Sequence, residues 1–353
     1  MGSTGKGICS AWLAHQVEQR GDQIDIATTA AGANSGHWTK RRDGSGYVAY
    51  HLPTSGIECK TSIAYSNAGS IVDIDVLGQE IIDCDIDPRR VVIDPRAAVI
   101  TEAHKAAERE TSASTSKIAS TQHGVGAALA DKIWRKSPLV QGVEHPSWMR
   151  VERLDLNRHL NSGASVVVEC PQGFDLSIDF GLAYPFVTSR NCTVAASLSN
   201  ANIHPSFCRD IAMTVRSFPI RVGHLYSEHG ELIGTSGPFY DDSVELSWDT
   251  SFPHLAPELT SVTKRVRRIS TFSYKQYERA LSTNRPSIVM LTFADYLPSA
   301  IAFLGMVARM RKVEESLGMS VQRTFGFGPC IEDITDNIDA AASWYDDRSP
   351  TWS

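Results

Sequence analysis

The spacing of apolar residues along the chain predicts its main helices and strands. Residues 8–17 place their larger apolar side chains on one face of a helix, and Gly21 is the expected end of that helix. Short apolar runs at 166–168 and 287–291 predict buried strands of a largely parallel sheet. Residues 301–317 predict a further helix. Its expected core residues are Leu304, Val307 and Met310.

Weaker patterns fill the rest of the chain. Residues 23–29 predict a strand, 31–36 a loop of small residues, and 99–110 a helix rich in alanine and glutamate. Residues 111–120, dominated by serine, threonine and alanine, predict a flexible loop. Strands that alternate with helices indicate an α/β fold with a central, mostly parallel β-sheet flanked by helices. No sharp change of composition marks a boundary, so we expect a single domain over residues 1–353.

Composition and charge exclude several classes of protein. Apolar residues make up 42% of the 353 and charged residues 21%, which is typical of a folded globular protein rather than a disordered one. The net charge of −6 argues against direct nucleic-acid binding. No apolar run is long enough to span a membrane, and we find no signal peptide. The seven cysteines form no C-x-x-C pair, so we expect neither a zinc ribbon nor a disulfide framework, and a cytoplasmic location.

The segment 2–7, Gly-Ser-Thr-Gly-Lys-Gly, is the first that carries chemistry. Glycines let the backbone approach a ligand, and the N–H groups at the start of the following helix attract anions, so Lys6 would meet a phosphate. The spacing is not that of a Walker A loop, which has four residues between its first glycine and its G-K-S/T. A tight turn without a ligand is the competing interpretation.

Three residues further along have the side chains that phosphate chemistry requires. His37 follows Asn34-Ser35-Gly36 and could hydrogen-bond a leaving phosphate, or it could be an ordinary loop histidine. Thr121 and the backbone N–H groups near it could bind phosphate. Arg135 follows on a predicted helix, where an exposed arginine without a ligand is the alternative.

The second half of the chain adds candidate contacts for a base and for carboxylates. Gln172, just after a predicted strand, could contact a purine edge or lie in a surface turn. The basic run 264–268 could hold a dicarboxylate or a phosphate, or form a solvated edge. Asp295 ends a predicted strand and could read a nucleotide base, bind a metal or cap a helix.

Taken in order, these segments resemble the adenylosuccinate synthetase family. The family's opening loop is G-D-E-G-K-G, followed by N-A-G-H and H-L-x-P-S-G-I. Further along come T-T-x-x-G-I-G-P, D-K-x-x-R, a Q-G, D-I-D-x-G-T-Y-P-x-V-T-S-S-N, T-R-V-G, T-T-G-R-x-R-R and T-K-L-D. The counterparts here run from Gly2 to Asp295, and their shared order is a far stronger signal than any single match. The resemblance implies a P-loop-NTPase-like adenylosuccinate synthetase fold whose first strand is missing before residue 1.

The resemblance also implies a ligase that forms a C–N bond in two steps. A nucleoside triphosphate phosphorylates O6 of a 6-oxopurine nucleotide, and the amine of L-aspartate then displaces that phosphate, with Mg²⁺ as cofactor. The implied catalytic residues are Ser3, Lys6 and His37. The implied triphosphate site comprises Gly2, Ser3, Thr4, Gly5, Lys6, Gly7, Gly36, His37, Thr39 and Asp295. The implied purine nucleotide site comprises Ser3, Asn34, Thr121, Arg135, Gln172, Thr188, Val222 and Arg265, with Arg135 acting from the partner subunit of a homodimer. L-Aspartate would be bound by Val262, Thr263, Arg265 and Arg267, and Mg²⁺ by Ser3 and Gly36.

The opening loop departs from the family pattern in a way that bears on the substrate. The family's aspartate, which removes the N1 proton of inosinate and ligates the metal, is Ser3 here, and its glutamate is Thr4. Serine is smaller and neutral, so it leaves room for a 2-amino group and can accept a hydrogen bond from it. A branch of the family found in some bacterial viruses has the opening loop G-S-T-G-K-G and joins L-aspartate to dGMP for 2-aminoadenine DNA. We therefore expect dGMP as the substrate, and the host cytoplasm as the location if the chain is viral.

A second departure bears on the triphosphate. In the family, the lysine and aspartate of T-K-L-D recognise the guanine of GTP, whereas this chain has Thr292-Phe293-Ala294-Asp295. Loss of the lysine predicts ATP or dATP as the phosphate donor. Two alternatives remain at this point: an ordinary adenylosuccinate synthetase that uses inosinate and GTP, and a catalytically silent nucleotide-binding paralogue.

Overall fold

The computed structural model describes residues 3–41, 43–110, 122–260 and 264–346. Its helices there are α1 (Lys6–Gln19), α2 (Thr54–Glu58), α3 (Ile74–Asp83), α4 (Glu102–Glu110), α5 (Val125–Ile133), α6 (Leu156–Asn161), α7 (Val194–Asn200), α8 (Trp248–Ser251), α9 (Tyr274–Asn284), α10 (Ala300–Ser316) and α11 (Ile338–Ser343). The strands are β1 (Ile26–Thr29), β2 (His37–Lys40), β3 (Gly46–Ala49), β4 (Ile63–Ser66), β5 (Ile71–Val72), β6 (Val91–Ile93), β7 (Ala98–Val99), β8 (Arg150–Val151), β9 (Val166–Glu169), β10 (Ala212–Arg216), β11 (Ile220–Arg221), β12 (Leu225–Tyr226), β13 (Leu232–Gly234), β14 (Glu245–Leu246), β15 (Arg268–Ser270), β16 (Ile288–Thr292), β17 (Gln322–Gly326) and β18 (Ile334–Thr335).

The predicted parallel strands lie in two sheets. The first has the order β8-β6-β4-β1-β9, and each neighbouring pair in it is parallel. The second has the order β10-β16-β17-β18, with β10, β16 and β17 parallel and β18 antiparallel. Helices connect the strands within both sheets, which confirms the α/β fold with mostly parallel strands flanked by helices. The other strands form a small three-stranded sheet, β11-β15-β14, and three pairs, β12-β13, β2-β3 and β5-β7.

Helix α1 packs against both sheets, and this brings the opening loop to the junction between them. Its first turns contribute Ile8 and Trp12 to a cluster with Met290 of β16. Its later turns place Ala14 against Ala27 of β1. Ile8 and Trp12 lie four residues apart on one face of the helix and Ala14 lies on another face, so this single helix packs on both sheets.

The core is built on the two sheets separately. The residues around the first sheet include Leu77 of α3 and Ile93 of β6, both fully buried. The residues around the second sheet include Phe303 of α10 and Phe325 of β17, whose ring centroids lie 5.0 Å apart in an edge-to-face arrangement. Among the described residues we find no helix with the length and apolar character needed to cross a membrane.

Several predicted elements need correction. The strand predicted at 166–168 exists as part of β9, but it is the edge strand of the first sheet and its valines are only half-buried. In α10, Val307 and Met310 are buried as predicted, whereas Leu304 is 42% exposed, because it faces away from β16 and β17. The helix predicted from residue 99 begins at Glu102, since Ala98–Val99 pair with β5 instead. The loop predicted at 111–120 lies outside the described residues.

Candidate active site

The opening loop lies against β10 and the last residue of β16. The Thr4 hydroxyl is 2.6 Å from that of Thr214, and the Thr292 hydroxyl donates to the Thr4 carbonyl oxygen at 3.0 Å. Gly5 has a φ of 72°, and a Cβ atom there would lie 3.1 Å from Thr292 Cγ2. Glycine adopts this left-handed conformation without strain, so Gly5 fixes the point at which α1 begins. Gly2, a predicted phosphate contact, lies outside the described residues.

Lys6 and His37 are neighbours because α1 packs directly on β2. A Cβ atom at Gly7 would lie 2.8 Å from Thr39 Oγ1 and 3.0 Å from the Trp38 carbonyl oxygen, so only glycine permits this approach. Burial lowers the pKa of Lys6, and the Lys6 ammonium contributes to lowering the pKa of His37. The two predicted catalytic side chains therefore share one enclosed, positively charged crevice, with the buried Thr39 beneath them.

His37 is a neutral hydrogen-bond donor in this setting. Its Nε2 lies 3.1 Å from the Pro171 carbonyl oxygen, which can only accept, so Nε2 carries the proton. Burial, and then the nearby Lys6, lower the pKa of His37 to about 3. At neutral pH the ring can therefore donate a hydrogen bond from Nε2 to an anion, but it holds no second proton to transfer.

The loop between β1 and β2 presents oxygen atoms next to this crevice. Gly36 is exposed, and Ser35 is buried with a hydroxyl that has no hydrogen-bond partner among the described residues. Asn34, predicted to contact a 5′-phosphate, is half-buried at the start of the same turn. An unpartnered buried hydroxyl is costly unless a ligand or water satisfies it, which is expected of a ligand-binding loop.

The residues predicted for Mg²⁺ supply a hydroxyl, Ser3, and a backbone carbonyl, Gly36. No group of three or more His, Cys, Asp or Glu side chains that could hold a metal occurs in the part of the chain the structure describes. Mg²⁺ prefers oxygen ligands and commonly takes few from the protein, the remainder coming from water and substrate phosphates. These residues thus fit an ion that arrives with the triphosphate.

The loop that follows β9 carries the predicted purine contacts. Gln172 is half-buried and lies three residues after the end of β9. Thr188 is held next to the start of the same loop, because its N–H donates to the Leu176 carbonyl oxygen at 2.7 Å. Glu169 ends β9, and its carboxylate accepts the Ser55 N–H at 2.7 Å. The structure therefore brings Gln172 and Thr188 into one loop that starts at the carboxyl end of a parallel strand, where α/β folds bind ligands.

A buried carboxylate anchors this loop, and the sequence did not point to it. Asp175 accepts the Tyr240 hydroxyl at 2.7 Å and the side-chain amide of Gln276, and it lies 3.5 Å from Arg279 Nη1. All three partners lie far along the chain, so no local spacing marks Asp175 as important. The contacts fix the loop to α9 and thereby position Gln172.

The sequence also did not single out Cys170, Cys192 and Arg190, which lie near the candidate site. A hydrogen bond from the Cys192 thiol lowers the pKa of Cys170 and raises that of Cys192. Both sulfur groups lie close enough to Lys6 to act against the lowering of its pKa by burial. Arg190, where the family motif has serine, donates to the carbonyl oxygens of Ala30 and Gly69, the latter at 3.2 Å. In the sequence, Arg190 is marked by the segment T-S-R-N, where the family has T-S-S-N.

The N–H groups predicted to bind phosphate at the start of α5 contact a carboxylate of the chain itself. Thr121 lies outside the described residues. The N–H groups of Gly124 and Gly126, expected to bind phosphate, donate instead to the Glu108 carboxylate at 2.8 and 2.7 Å. A carboxylate satisfies the positive end of a helix as a phosphate does, so these N–H groups are already occupied. Arg135 is exposed, with a φ of 61°.

The basic run 264–268 contains two different kinds of residue. Arg268 pairs with Glu245 at 2.6 Å and donates to the Gly237 carbonyl oxygen, so it is structural. Arg267 is half-buried, and burial lowers its pKa. Arg265 is also half-buried, and its N–H donates to the Thr260 hydroxyl at 3.0 Å. The other residues predicted to bind aspartate, Val262 and Thr263, lie outside the described residues.

The remaining predicted contacts are Val222, which follows β11, and Asp295, which follows β16. The Val222 carbonyl oxygen accepts the Ser236 hydroxyl at 2.6 Å. Asp295 lies in a short 3-10 helix, Ala294–Tyr296, and is half-buried. Phe293 precedes this helix with a φ of 56°, a strained value for an aromatic residue. The structure thus places the opening loop and Asp295 near the carboxyl ends of β10 and β16, whereas Val222 follows β11 of the neighbouring small sheet.

Comparisons with known proteins show relatives that match along nearly the whole chain. The sequence model of the adenylosuccinate synthetase family matches residues 1–155 and 147–302. The N6-succino-2-amino-2′-deoxyadenylate synthase of Salmonella phage PMBT28 is 34% identical over 94% of both chains. That of Acinetobacter phage SH-Ab 15497 is 32% identical over 100% of this chain and 95% of its own. The solved structure of the cyanophage S-2L succinoaminodeoxyadenylate synthetase, bound to dGMP and to dATP as an energy donor, aligns with a TM-score of 0.82 at 29% identity, covering 98% of this chain and 96% of that one.

Proposed function

Because the chain belongs to the adenylosuccinate synthetase family, we propose that it is the ligase that joins L-aspartate to dGMP with hydrolysis of ATP. The product is N6-succino-2-amino-2′-deoxyadenylate, a precursor of 2-aminoadenine in DNA. Phage relatives named for this synthase match along nearly the whole chain, and the cyanophage relative was solved with dGMP and dATP.

The observation that carries the proposal is Ser3, at the position of the family's aspartate. It is half-buried in the opening loop, and its carbonyl oxygen lies 3.4 Å from Arg216 Nη1, so its position is set by the backbone. A serine side chain is shorter than aspartate and neutral. It leaves space for the 2-amino group that distinguishes guanine from hypoxanthine, and its hydroxyl can accept a hydrogen bond from that group.

In the first step, O6 of the guanine attacks the γ-phosphorus of ATP, the N1 proton of the guanine passes to water, and ADP leaves, giving the 6-phosphoryl nucleotide. Lys6 and His37 would stabilise the charge that builds up on the transferring group. His37 contributes a hydrogen bond from Nε2, exchanging the Pro171 carbonyl for a phosphoryl oxygen, and Lys6 contributes its charge in an enclosed crevice. When bound, Mg²⁺, held by Ser3, Gly36 and the triphosphate, neutralises phosphate charge.

In the second step, the amine of L-aspartate attacks C6 of the purine. The C6–O bond breaks, phosphate leaves, and the amine loses a proton. Arg265 and Arg267 would hold the two carboxylates, since a guanidinium binds a carboxylate through two parallel hydrogen bonds. Gln172 would orient the purine, and Asn34, Thr121 and Thr188 would hold its 5′-phosphate. Val222 would lie near the sugar.

The partners of the reaction include a second subunit. Arg135 is exposed and followed by Lys136, and it lies next to Ile133 and Trp134, which are 72% and 71% exposed. Large apolar side chains exposed together favour a protein interface. We place Arg135 in a homodimer, where it would reach the 5′-phosphate bound by the partner subunit, and we place the enzyme in the cytoplasm, or the host cytoplasm if the chain is viral.

The direct test offers the purified protein Mg²⁺, L-aspartate and ATP with either dGMP or IMP. ADP release and product mass are followed in parallel. The proposal predicts an aspartate adduct with dGMP and little or none with IMP. An adduct with IMP alone would identify an ordinary adenylosuccinate synthetase. No adduct with either nucleotide would indicate a nucleotide-binding paralogue without activity.

A further inference from the structure

Arg216, the last residue of β10, is a buried cation at the junction of three predicted binding regions. It is 2% exposed and lies opposite Thr292 in the parallel register of β10 and β16. Because the carboxyl ends of parallel strands meet at one edge, this register places Arg216 next to Phe293, which follows Thr292. A guanidinium this deeply buried requires charged and polar partners on several sides.

Its contacts reach three separate segments of the chain. Both terminal nitrogens donate to the Glu258 carboxylate, with Nη1 to Oε2 at 3.1 Å. Nη1 also lies 3.4 Å from the Ser3 carbonyl oxygen, and Nε donates to the Phe218 carbonyl oxygen at 2.8 Å. The guanidinium carbon lies 3.5 Å from the centre of the Phe293 ring. Arginine can make planar stacking and paired hydrogen bonds at the same time, whereas lysine cannot.

Glu258 links Arg216 to Arg267, which is predicted to bind aspartate. Its carboxylate also accepts the Tyr296 hydroxyl at 2.8 Å, so the side chain is fixed from two sides. Its carbonyl oxygen accepts the Arg267 N–H at 2.7 Å, and the next carbonyl oxygen, of Leu259, accepts Arg267 Nε at 3.1 Å. Glu258 is close enough to both Arg216 and Arg267 to compensate the charge of each. Without it, two neighbouring cations would repel each other.

We propose that Arg216 and Glu258 are positioning residues that couple the triphosphate site at Phe293 to the aspartate site at Arg267. The proposal rests on the proposed function, which supplies the two ligands. A nucleotide base that packs against Phe293 would restrict the motion of the ring, which stacks on the Arg216 guanidinium. The ion pair of Arg216 with Glu258, and the hydrogen bond of the Glu258 carbonyl oxygen with the Arg267 N–H, would extend this restriction to Arg267. Coupling of this kind is reciprocal, so ATP and aspartate each strengthen binding of the other.

The first experiment compares Glu258→Gln with wild type and with a matched control. Glu314 also accepts an arginine, Arg323, and a tyrosine hydroxyl, Tyr277, but lies in the core around the second sheet, away from the site. We expect Glu258→Gln to raise the aspartate KM about tenfold and to remove its dependence on ATP concentration, with the dGMP KM changed by less than about twofold. We expect Glu314→Gln to leave the aspartate KM and its ATP dependence unchanged.

The second experiment reads the coupling without turnover. Amide hydrogen exchange at Arg267, whose N–H is bound to the Glu258 carbonyl oxygen, is measured with and without ATP and Mg²⁺. We expect ATP to slow this exchange in wild type and not in Glu258→Gln. Arg216→Lys, which keeps the charge but loses the stacking, should give an intermediate response.

The outcomes separate this inference from the proposed function. If wild type forms the dGMP adduct and Glu258→Gln keeps the wild-type aspartate KM and ATP dependence, the coupling is refuted and the proposed function stands. If wild type forms no adduct, the exchange experiment decides, and an equal response to ATP in both proteins, or none in wild type, refutes the coupling. If Glu258→Gln and Glu314→Gln lower kcat and Tm alike with KM values unchanged, Glu258 has only a structural role and the inference is wrong.

Discussion

Replacing His37 tests the assignment of the phosphate crevice. His37→Ala removes the Nε2–H that now donates to the Pro171 carbonyl oxygen at 3.1 Å, whereas His37→Gln keeps an N–H donor on a shorter reach. The side chain is 8% exposed and next to Lys6, so a hydrogen bond to the transferring phosphoryl group would form in an enclosed, weakly solvated place. Loss of one such donor lowers kcat by about 10²–10³, or about 3–4 kcal/mol.

The binding of substrates should change much less than turnover. His37 contacts the charge that develops in the transition state, so we expect the KM values for dGMP, ATP and aspartate to stay within about threefold of wild type. His37→Gln should recover part of the lost kcat. The control is His204→Ala, because His204 is exposed and its imidazole contacts the nearby Ser206.

The pH profile refines the same prediction. Burial and Lys6 lower the pKa of His37 to about 3, so the ring is neutral throughout the range in which the enzyme can be assayed. We expect no acidic limb near pH 6.5 that depends on His37. The reasoning is refuted if His37→Ala keeps kcat within about tenfold of wild type, or if wild type shows such a limb and His37→Ala removes it.

Four further results follow from the structure. Ser3→Asp should lower dGMP turnover at least about tenfold by crowding the 2-amino group, and unchanged kcat/KM for dGMP would contradict this. Arg267→Leu should raise the aspartate KM by about 10- to 100-fold, the loss expected for a charged hydrogen-bond pair; an unchanged aspartate KM would make the basic run a surface feature. Phe293→Lys should lower kcat/KM for ATP relative to GTP, because it restores the family lysine and removes the stacking on Arg216. An unaltered ATP preference in a competition assay would refute a role of Phe293 in the choice of triphosphate. The pKa of His37 is lower in the folded chain than its unfolded value of about 6.5, so the unfolded chain binds one more proton between these two pKa values and stability falls as the pH is lowered through them. Urea unfolding at pH 7 and pH 5 should show that the free energy of unfolding falls by about 2 kcal/mol more in wild type than in His37→Gln. An equal loss in both proteins would contradict this.

Local patterns were sufficient to predict the parts of the fold that depend on neighbours in sequence. The apolar stripe of α1 and the buried run of β16 lie as expected, because helical and strand periodicity report directly on which face is buried. The exposure of Leu304 and the edge position of β9 were mispredicted, since both depend on which elements pack nearby. Periodicity carries no information on that.

The same distinction between local and long-range information holds for the residues of the candidate site. Lys6, His37 and Gln172 stand in recognisable motifs, and the structure places Lys6 beside His37, with Gln172 following the Pro171 carbonyl that His37 contacts. Arg216 and Glu258 stand in no motif. Their role follows from an ion pair between residues distant in sequence and from a parallel register that only the folded chain reveals.

The identity of the purine substrate is the central claim, and competition tests it most directly. Equimolar dGMP and IMP are offered together to one sample of the enzyme with saturating ATP, Mg²⁺ and L-aspartate, and the two possible adducts are resolved by mass. A space beside Ser3 for the 2-amino group predicts that nearly all of the product derives from dGMP. A product derived mainly from IMP would contradict the account.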